Sequence, residues 1–155
     1  GHFLLYGKRL FPKLNIDYTC KELPLMAEQG KLANREARFV DNDEAAFSRC
    51  YDLVFANSSL QYSDDWVETL KGLVSATSSW LFISCIYLVS DIVTQIFSDT
   101  AYESDVQVWA ISRNDFLETS RSCGLVKRHE MYTFETYPTP FGELEGRSFL
   151  FEKLN

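Results

Sequence analysis

Blocks of apolar residues along the chain alternate between the spacing of a helix and the spacing of a strand. Phe3, Tyr6, Gly7 and Leu10 recur at helical intervals near the start, and Pro12 ends that helix. Beyond Pro12, short apolar runs and helical patterns take turns. In this part we expect a helix over residues 3–10, a strand over 16–20, a helix over 25–33, a strand over 37–40 and a short helix capped by Asp43.

The middle of the chain contains two strongly apolar segments that predict buried strands. Leu53, Val54 and Phe55 are consecutive within the first segment, residues 51–56. Unbroken apolar runs of this kind are typical of parallel strands that are covered on both faces. Ser63 is placed to cap the helix that follows, and residues 80–87 form the next predicted strand. The apolar stripe of that helix consists of Trp66, Leu70, Leu73 and Val74.

The stretch between residues 90 and 112 has a weaker pattern. Ile92, Val93 and Ile96 favour a short helix. Residues 98–105 have the composition of a loop, and residues 106–111 favour an extended segment.

The end of the chain predicts one more helix and two strands. Ser112 and Asp115 open the helix in the manner of a capping box, and Gly124 ends it. Two apolar segments follow, and residues 138–146 join them without a helical pattern. We expect these segments, residues 126–134 and 149–154, to pair as strands.

This order of elements predicts an α/β fold. Strands that alternate with helices pair in parallel, and right-handed crossovers put helices on both faces of the sheet. The last two strands have no helix between them, which predicts an antiparallel hairpin at the sheet edge. With 155 residues and 17.9 kDa, the chain has the size of one domain. We therefore expect a single domain with a doubly wound, mostly parallel sheet.

Charge and cysteine content narrow the classes of function. Lys and Arg number 15 against 22 Asp and Glu, a formal net charge of −7, and no basic run interrupts this balance. Binding to nucleic acid or to an anionic membrane by charge is therefore not expected. The apolar stretch at residues 80–89 is too short to cross a bilayer. Cys20, Cys50, Cys85 and Cys123 are far apart, which predicts reduced thiols acting as small apolar side chains, no metal site and a cytoplasmic location.

Polar residues that follow predicted strands are the first candidates for chemistry, because doubly wound sheets bind ligands beyond the carboxyl ends of their strands. Glu22 follows the first strand, where a carboxylate can accept hydrogen bonds from two ribose hydroxyls. A solvated glutamate ahead of a helix fits this position as well. Asp41, Asn42 and Asp43 follow the second strand. An aspartate there can accept from an adenine amino group, or it can serve only as a helix cap.

The third predicted strand is followed by the polar segment NSSLQY at residues 57–62. Its amides and hydroxyls offer donors and acceptors that suit a small polar ligand. A surface loop has a similar composition, so both interpretations stay open at this point.

The string YDLVFANSSLQY over residues 51–62 resembles the fourth-strand segment of class I S-adenosylmethionine-dependent methyltransferases. Glu22 resembles the ribose-binding acid of that family, and residues 39–43 resemble its adenine-binding turn. SRNDFLETSRSCGL over residues 112–125 resembles its late helix. The resemblance covers nearly the whole chain in order and is closest to small methyltransferases of inferred activity that share LQY. It implies S-adenosylmethionine as cofactor, with these contacts: Gly1, Glu22, Leu23, Asp41, Asn42, Asp43, Asn57 and Ser58.

The resemblance also implies a reaction. Methyl transfer from a sulfonium is an in-line displacement, so alignment of the reactants matters more than acid–base catalysis. The implied acceptor is a small molecule or glycan, with Gln61 and Tyr62 as candidates on the acceptor side. Residues 89–108 could cover the acceptor. His129 is expected at the surface rather than as a base, and Trp109 is expected to pack as an ordinary aromatic residue.

The chain departs from the family pattern at its start. The first strand and most of the Gly-rich loop would precede residue 1, so that only Gly1 could remain of the loop. We expect a domain that lacks its first strand, with unpaired sheet edges that favour self-association. A methyltransferase-like scaffold without cofactor binding is one alternative. A dehydrogenase-like domain is another, although the G-x-G-x-x-G motif is absent. The methyltransferase interpretation depends on Glu22 and residues 57–62 converging at one end of a common β-layer. It fails if these two segments lie at opposite ends of the molecule, or if the fold has no alternating β/α layers.

Overall fold

The computed structural model describes residues 2–90, 92–99, 105–139 and 142–154. These residues form two compact units, Gly1–Arg49 and Cys50–Asn155. Each unit contains a sheet of its own. Glu22 follows a strand of the two-stranded sheet, whereas residues 57–62 follow a strand of the six-stranded sheet, so the common sheet expected for them is not present among the described residues. The single domain over residues 1–155 stays a prediction.

The first unit alternates helices with two short strands. Its elements are α1 (His2–Leu10), β1 (Thr19–Lys21), α2 (Pro24–Ala33), β2 (Arg38–Val40) and α3 (Asp43–Phe47). β1 and β2 pair in parallel, with Cys20 opposite Phe39, as expected when a helix connects two strands. Gly30 of α2 faces the ring of Phe39, and a Cβ at Gly30 would overlap that ring. The helix therefore lies closer to β2 than a larger residue would permit.

The helices of the first unit confirm the predicted pattern, whereas its strands and its cap differ in detail. The strand expected at residues 16–20 runs from Thr19 to Lys21. The predicted cap of α3, Asp43, is wrong, because Asn42 holds that position. Asn42 has extended backbone, and its Oδ1 accepts from the Ala45 N–H at 2.8 Å. Asp43 is already the first helical residue, and its carboxylate pairs with Lys21.

The second unit contains a six-stranded mixed sheet with helices. Its elements are β3 (Tyr51–Asn57), a 3₁₀ turn (Leu60–Tyr62), α4 (Trp66–Ser75), β4 (Thr77–Val89), β5 (Gln95–Asp99), β6 (Val106–Ser112), α5 (Arg113–Ser122), β7 (Leu125–Thr139) and β8 (Gly142–Lys153). One edge of β4 pairs in parallel with β3 and then with β6, and its other edge pairs antiparallel with β8. The α/β class and the C-terminal hairpin of β7 and β8 are confirmed. β5 and β6 form a third antiparallel pair, so the sheet is mixed rather than mostly parallel as expected.

The core of the second unit lies on one face of this sheet. Alternate residues of the strands point to this face, and α4 and α5 contribute their apolar stripes. Phe116 of α5 packs against the rings of Phe149 and Phe151, at centroid distances of 5.0 and 5.9 Å. Leu70 of α4 and Leu81 of β4 are fully buried in the same cluster. Burial of this face holds the carboxyl ends of β3 and β4 in fixed register.

The short helix predicted from Ile92, Val93 and Ile96 is wrong. Residues 95–99 form β5, which pairs antiparallel with β6. Phe97 and Ile92 pack on a second small cluster, whereas Ile96 is exposed, so that the burial alternates as in a strand. A short apolar run cannot distinguish these two periods. The predicted loop at 98–105 begins within β5, and residues 100–104 lie outside the described residues.

β3 is not covered on both faces as its apolar sequence predicted. Val54 and Ala56 point into the core, whereas Leu53 on the other face is 57% exposed. Its neighbour across the ladder, Trp80, is 37% exposed. Phe55 stacks on Phe82 on this second face, with a centroid distance of 5.2 Å. The second face is therefore apolar, although it is partly open to solvent.

The helix ends of the second unit confirm two of three sequence assignments. Ser112 caps α5, and Gly124 ends it with a φ of 82°. The predicted cap of α4, Ser63, is wrong. The Ser63 hydroxyl donates to the Leu60 carbonyl, and Asp65 accepts from the first turn of α4 instead.

The final strands are longer than the sequence predicted. β7 and β8 extend through most of the segment at residues 138–146 that was expected to be a loop. Their outer halves contain alternating polar residues, which an apolar-run criterion does not detect. Residues 140 and 141 lie outside the described residues.

All four cysteines are free thiols. Cys20, Cys85 and Cys123 are half-buried, but Cys50 is exposed, so it does not act as the small apolar core residue that was expected. No helix among the described residues has the length and apolar character needed to cross a membrane.

Candidate functional site

Glu22 lies directly beyond β1, at the carboxyl end of the parallel pair. Its backbone N–H donates to the Val40 carbonyl at 3.0 Å, which extends the ladder of β1 and β2 by one bond. The side chain is half-buried, and the Cys20 thiol lies 3.8 Å from Oε1. A thiol is a weak donor, so this contact leaves most of the accepting capacity of the carboxylate unused.

Tyr18 immediately precedes β1, and its phenol lies close enough to Cys20 and Glu22 to be affected by both. Burial raises the pKa of its phenol far above the usual value, and the neighbouring Cys20 and Glu22 raise it further. The phenol therefore stays neutral at every physiological pH.

The residues after β2 lie at the same end of the first unit. Lys21 pairs with Val40 in the parallel register, so that Glu22 and Asp41 both follow at one edge. Asp41 Oδ1 accepts from Asn42 Nδ2 at 2.8 Å. Asn42 also caps α3, and Asp43 pairs with Lys21. Of the residues predicted to contact the cofactor, five therefore come together in this unit: Glu22, Leu23, Asp41, Asn42 and Asp43.

Leu23 is exposed and holds the N-cap position of α2 without a side-chain hydrogen bond. The α2 helix then begins with Pro24, whose missing N–H and fixed φ suit that position. Gly1, also predicted to contact the cofactor, lies outside the described residues.

In the second unit, the predicted residues lie at the carboxyl end of β3. Asn57 is the last residue of β3, is exposed and pairs with Ser84. Ser58 follows with a φ of 49°, and its N–H donates to the Ser84 carbonyl at 2.8 Å. β3 thus ends in a bend at Ser58, with the Asn57 side chain exposed and Ser58 half-buried.

Gln61 and Tyr62 belong to the 3₁₀ turn that follows. Gln61 is fully buried, and its Nε2 donates to the Cys85 carbonyl at 3.0 Å and to Ser58 Oγ at 3.3 Å. The Tyr62 ring is 38% exposed and meets the Tyr87 ring edge to face at 6.5 Å. In this conformation the Tyr62 ring can contact a ligand. Gln61 instead connects the turn to Cys85 and Ser58 through its hydrogen bonds.

His129 and Trp109 have the environments that the sequence predicted, a surface position for His129 and aromatic packing for Trp109. His129 is exposed on β7. Trp109 of β6 packs against the main core cluster and donates from Nε1 to the Ser63 carbonyl at 2.8 Å. Trp109 therefore fixes the 3₁₀ turn to β6.

Sequence reasoning missed a group of hydroxyls beside the strand end. The Ser148 hydroxyl accepts from the Cys85 N–H at 3.2 Å, contacts Ser84 Oγ at 3.2 Å and contacts Thr133 Oγ1 at 2.6 Å. Cys85 lies at a β-bulge with a φ of 56°. The available signal was the pair Ser84 and Cys85, which interrupts the apolar run WLFISCIYLV.

A cleft of about 450 Å³ lies elsewhere in the second unit, beside α4 and α5. Its lining includes Trp66, Asp115 and Glu118 and contains none of the predicted site residues. Asp115 in this cleft already accepts a 2.5 Å hydrogen bond from Thr94. Position at strand ends, rather than cleft size, therefore identifies the better candidate site.

The comparisons with known proteins give structural matches only. No family model and no curated protein sequence matches the chain. The structure is similar to a pericyclic reaction enzyme, at 13% identity and a TM-score of 0.61 over 99% of this chain. It is similar to the N-terminal domain of EvdMO1 with bound SAH, at 12% identity and a TM-score of 0.66 over 94% of this chain.

A third similar structure is the 1,6-didemethyltoxoflavin-N1-methyltransferase of Burkholderia thailandensis, bound to 1,6-didemethyltoxoflavin and S-adenosylhomocysteine, at 15% identity and a TM-score of 0.58 over 96% of this chain. The chain spans 40% of the pericyclic reaction enzyme, 68% of the EvdMO1 domain and 66% of the Burkholderia enzyme. These matches show that the chain has the α/β fold of class I S-adenosylmethionine-dependent methyltransferases.

Proposed function

We propose that the chain is the catalytic domain of an S-adenosylmethionine-dependent methyltransferase that acts on a small molecule or glycan. The fold alone does not decide this, since a pericyclic reaction enzyme has a similar fold. The observation that carries the proposal is the position of Glu22, which is half-buried directly beyond β1 and whose carboxylate has the weak thiol donor of Cys20 beside it. The bound SAH of two similar structures supports the choice of cofactor.

Residues of the first unit are proposed to hold the adenosine part. Glu22 would accept from the two ribose hydroxyls, and such charge-assisted bonds are stronger than neutral ones. Asp41 would accept from the adenine amino group with the carboxylate oxygen that Asn42 does not occupy. Leu23, Asn42 and Asp43 would frame the same ligand, with Lys21 fixing Asp43 in place.

In the second unit, Asn57 and Ser58 are proposed to contact the cofactor, and Gly1 is proposed as a further contact. The cofactor, when bound, supplies an activated methyl group on a sulfonium. The chain then needs to orient the acceptor and exclude competing nucleophiles, and Tyr62 has an exposed ring for that purpose. The Burkholderia enzyme was solved with a small-molecule ligand as well as S-adenosylhomocysteine, which supports an acceptor of this size. Four free thiols support a reducing, cytoplasmic location.

Calorimetric titration with S-adenosylhomocysteine tests the proposal. We expect saturable binding to the wild-type protein. Glu22→Gln removes the charged acceptor and is expected to weaken binding roughly 10- to 100-fold, as for loss of hydrogen bonds to a charged group. Glu28→Gln is the matched control, because Glu28 is exposed on α2 and only the charge changes. Absence of binding, or equal loss in both variants, would contradict the proposal.

A further inference from the structure

Gln61 joins two residues that have left-handed backbone without being glycine. Ser58 has a φ of 49° and Cys85 a φ of 56°, a conformation that residues with a Cβ adopt at a cost. The Gln61 Nε2 donates to the Cys85 carbonyl at 3.0 Å and to the Ser58 hydroxyl at 3.3 Å. One side chain thus fixes both strained positions relative to each other.

The orientation of the Gln61 amide follows from its partners. The Cys85 carbonyl can only accept, so the nitrogen rather than the oxygen must face it. Gln61 Oε1 then has no hydrogen-bond partner among the described residues, although the side chain is fully buried. A buried acceptor without a partner lowers stability, and leucine would fill similar space without that penalty. A glutamine at this position therefore points to a role beyond packing.

The polar contacts continue across the sheet from this point. The Ser58 N–H donates to the Ser84 carbonyl, and the Cys85 N–H donates to Ser148 Oγ on β8. β4 pairs with β3 as far as Ser84 and with β6 from Leu88 onward, so Cys85 lies where β4 changes its partner. The bulge at Cys85 and the bend at Ser58 are thereby fixed together at the carboxyl end of β3.

We propose that Gln61 is a positioning residue that holds Asn57 and Ser58 in the conformation that binds the cofactor. This inference rests on the proposed function, in which Asn57 and Ser58 contact S-adenosylmethionine. Gln61 itself is buried and does not touch the ligand. Its loss would allow the bend at Ser58 to relax from the left-handed conformation, so that binding groups are correctly placed in only a fraction of molecules.

The first test compares Gln61→Leu with Gln29→Leu, in which an exposed glutamine of α2 undergoes the same change. Amide hydrogen exchange without ligand is expected to quicken at Ser58 and Cys85 in Gln61→Leu only, while the amides of β8 keep their protection. The dissociation constant for S-adenosylhomocysteine is expected to rise about tenfold or more in Gln61→Leu and to stay unchanged in Gln29→Leu.

The second test uses Gln61→Glu and distinguishes positioning from general loss of packing. A protonated carboxyl can donate to the Cys85 carbonyl as the amide does, whereas an ionised one cannot. The facing groups, the Cys85 carbonyl and the Ser58 hydroxyl, do not titrate. Burial raises the pKa of a carboxyl, so the affinity of Gln61→Glu relative to wild type is expected to be reduced at about pH 9 and to recover as the pH falls to about 5.

The outcomes separate the two proposals. If the wild-type protein binds no S-adenosylhomocysteine, the proposed function fails and this inference fails with it. If the wild type binds and Gln61→Leu binds equally well, or if Gln61→Glu shows no recovery at low pH, the positioning role alone is overturned.

Discussion

Individual carboxylates in this chain differ in how many cations they contact. The Glu130 side chain is 15% exposed, accepts from Arg113 at 2.8 Å and also contacts Lys127 and Arg147. Burial alone would raise the pKa of Glu130, but hydrogen bonds from Arg113 and Lys127 outweigh it, so that the pKa lies below its usual range. Glu22 has instead a weak thiol donor at 3.8 Å. The first carboxylate stabilises the fold, and the second can accept from a ligand.

Glu130→Gln is expected to lower the free energy of unfolding by about 1.5–3 kcal/mol at neutral pH, because hydrogen bonds to a charged group are lost. A depressed pKa contributes stability above the unfolded-state value of about 4.3 and loses it as the pH falls. The difference between wild type and variant should therefore shrink on acidification. Urea unfolding at a series of pH values measures this difference. The exposed Glu118→Gln is the control, and a difference that is constant with pH would contradict the expectation.

For Gln61, the sequence predicted the polar character of its segment but not the contacts of its side chain. The polar segment after β3 was recognisable, because amides and hydroxyls at a strand end are unusual beside a buried strand. The direction of the Gln61 side chain was not recognisable, since it depends on a 3₁₀ turn that points the amide toward Cys85. The hydroxyl cluster next to this turn is likewise built from distant parts of the chain. Its members are Ser84, Ser148 and Thr133. Contacts between residues that are far apart in the chain leave no pattern in the local sequence from which they could be predicted.

Among the secondary-structure elements, α4 shows that a cap depends on geometry as well as residue type. Asp65 Oδ1 accepts from the N–H groups of Val67 and Glu68 at 2.9 and 3.1 Å. Asp65→Ala is expected to lower the free energy of unfolding by about 1 kcal/mol, as typical for loss of an N-cap. Asp64→Ala is the control, because Asp64 is exposed and precedes the cap. Chemical denaturation measures both variants, and an equal effect in the two would show that charge rather than capping matters.

The packing of α2 on β2 leads to a prediction about two glycines. A Cβ at Gly30 would overlap the buried ring of Phe39, and a planar ring on a short strand cannot move aside easily. Gly30→Ala is expected to lower the unfolding free energy by about 1–3 kcal/mol, as overpacking does. Gly7→Ala in α1 is the control. Its Cβ would lie 3.1 Å from the flexible end of Ile16, so the gain in helix propensity should offset the contact. Thermal unfolding of both variants checks the contrast, which equal shifts would refute.

Helices were easier to predict than strands for a physical reason. α4 repeats the buried apolar residues Trp66, Leu70 and Val74 along one stripe. α5 has a cap and a glycine stop, so each helix gives a signal beyond local hydropathy. β5 has five residues, too few to separate a period of two from a period of 3.6. The outer half of β8 contains the charged side chains of Glu145 and Arg147, which pair with each other, and Arg147 also contacts Glu130 on β7. Ion pairs replace apolar burial there, so hydropathy alone missed that part of the strand.

For the molecule as a whole, the alternation of helices and strands was sufficient to predict an α/β fold. Parallel pairing of β1 with β2 and of β3 with β4 follows from the helices that connect them. The antiparallel pair of β5 and β6 was missed, because the short apolar run of β5 was assigned to a helix. The proposed cofactor residues were assigned from the sequence resemblance, in which the matching segments follow the same order along the chain. That the residues of the two units converge on one ligand stays a prediction.

Ligand binding should also be visible in the stability of the whole chain. A ligand that binds only the native state stabilises it by about 2.7 kcal/mol when its concentration is a hundred times the dissociation constant. For a chain of 155 residues this corresponds to a rise in melting temperature of roughly 5–10 °C. We expect S-adenosylhomocysteine to produce this rise in the wild type and in Glu28→Gln, and a smaller one at the same concentration in Glu22→Gln. Differential scanning calorimetry measures the shift. An equal rise in both variants would show that Glu22 does not contribute to binding. At a given ligand concentration, the stabilisation of the native state depends only on the dissociation constant, so a variant that binds more weakly must show a smaller rise.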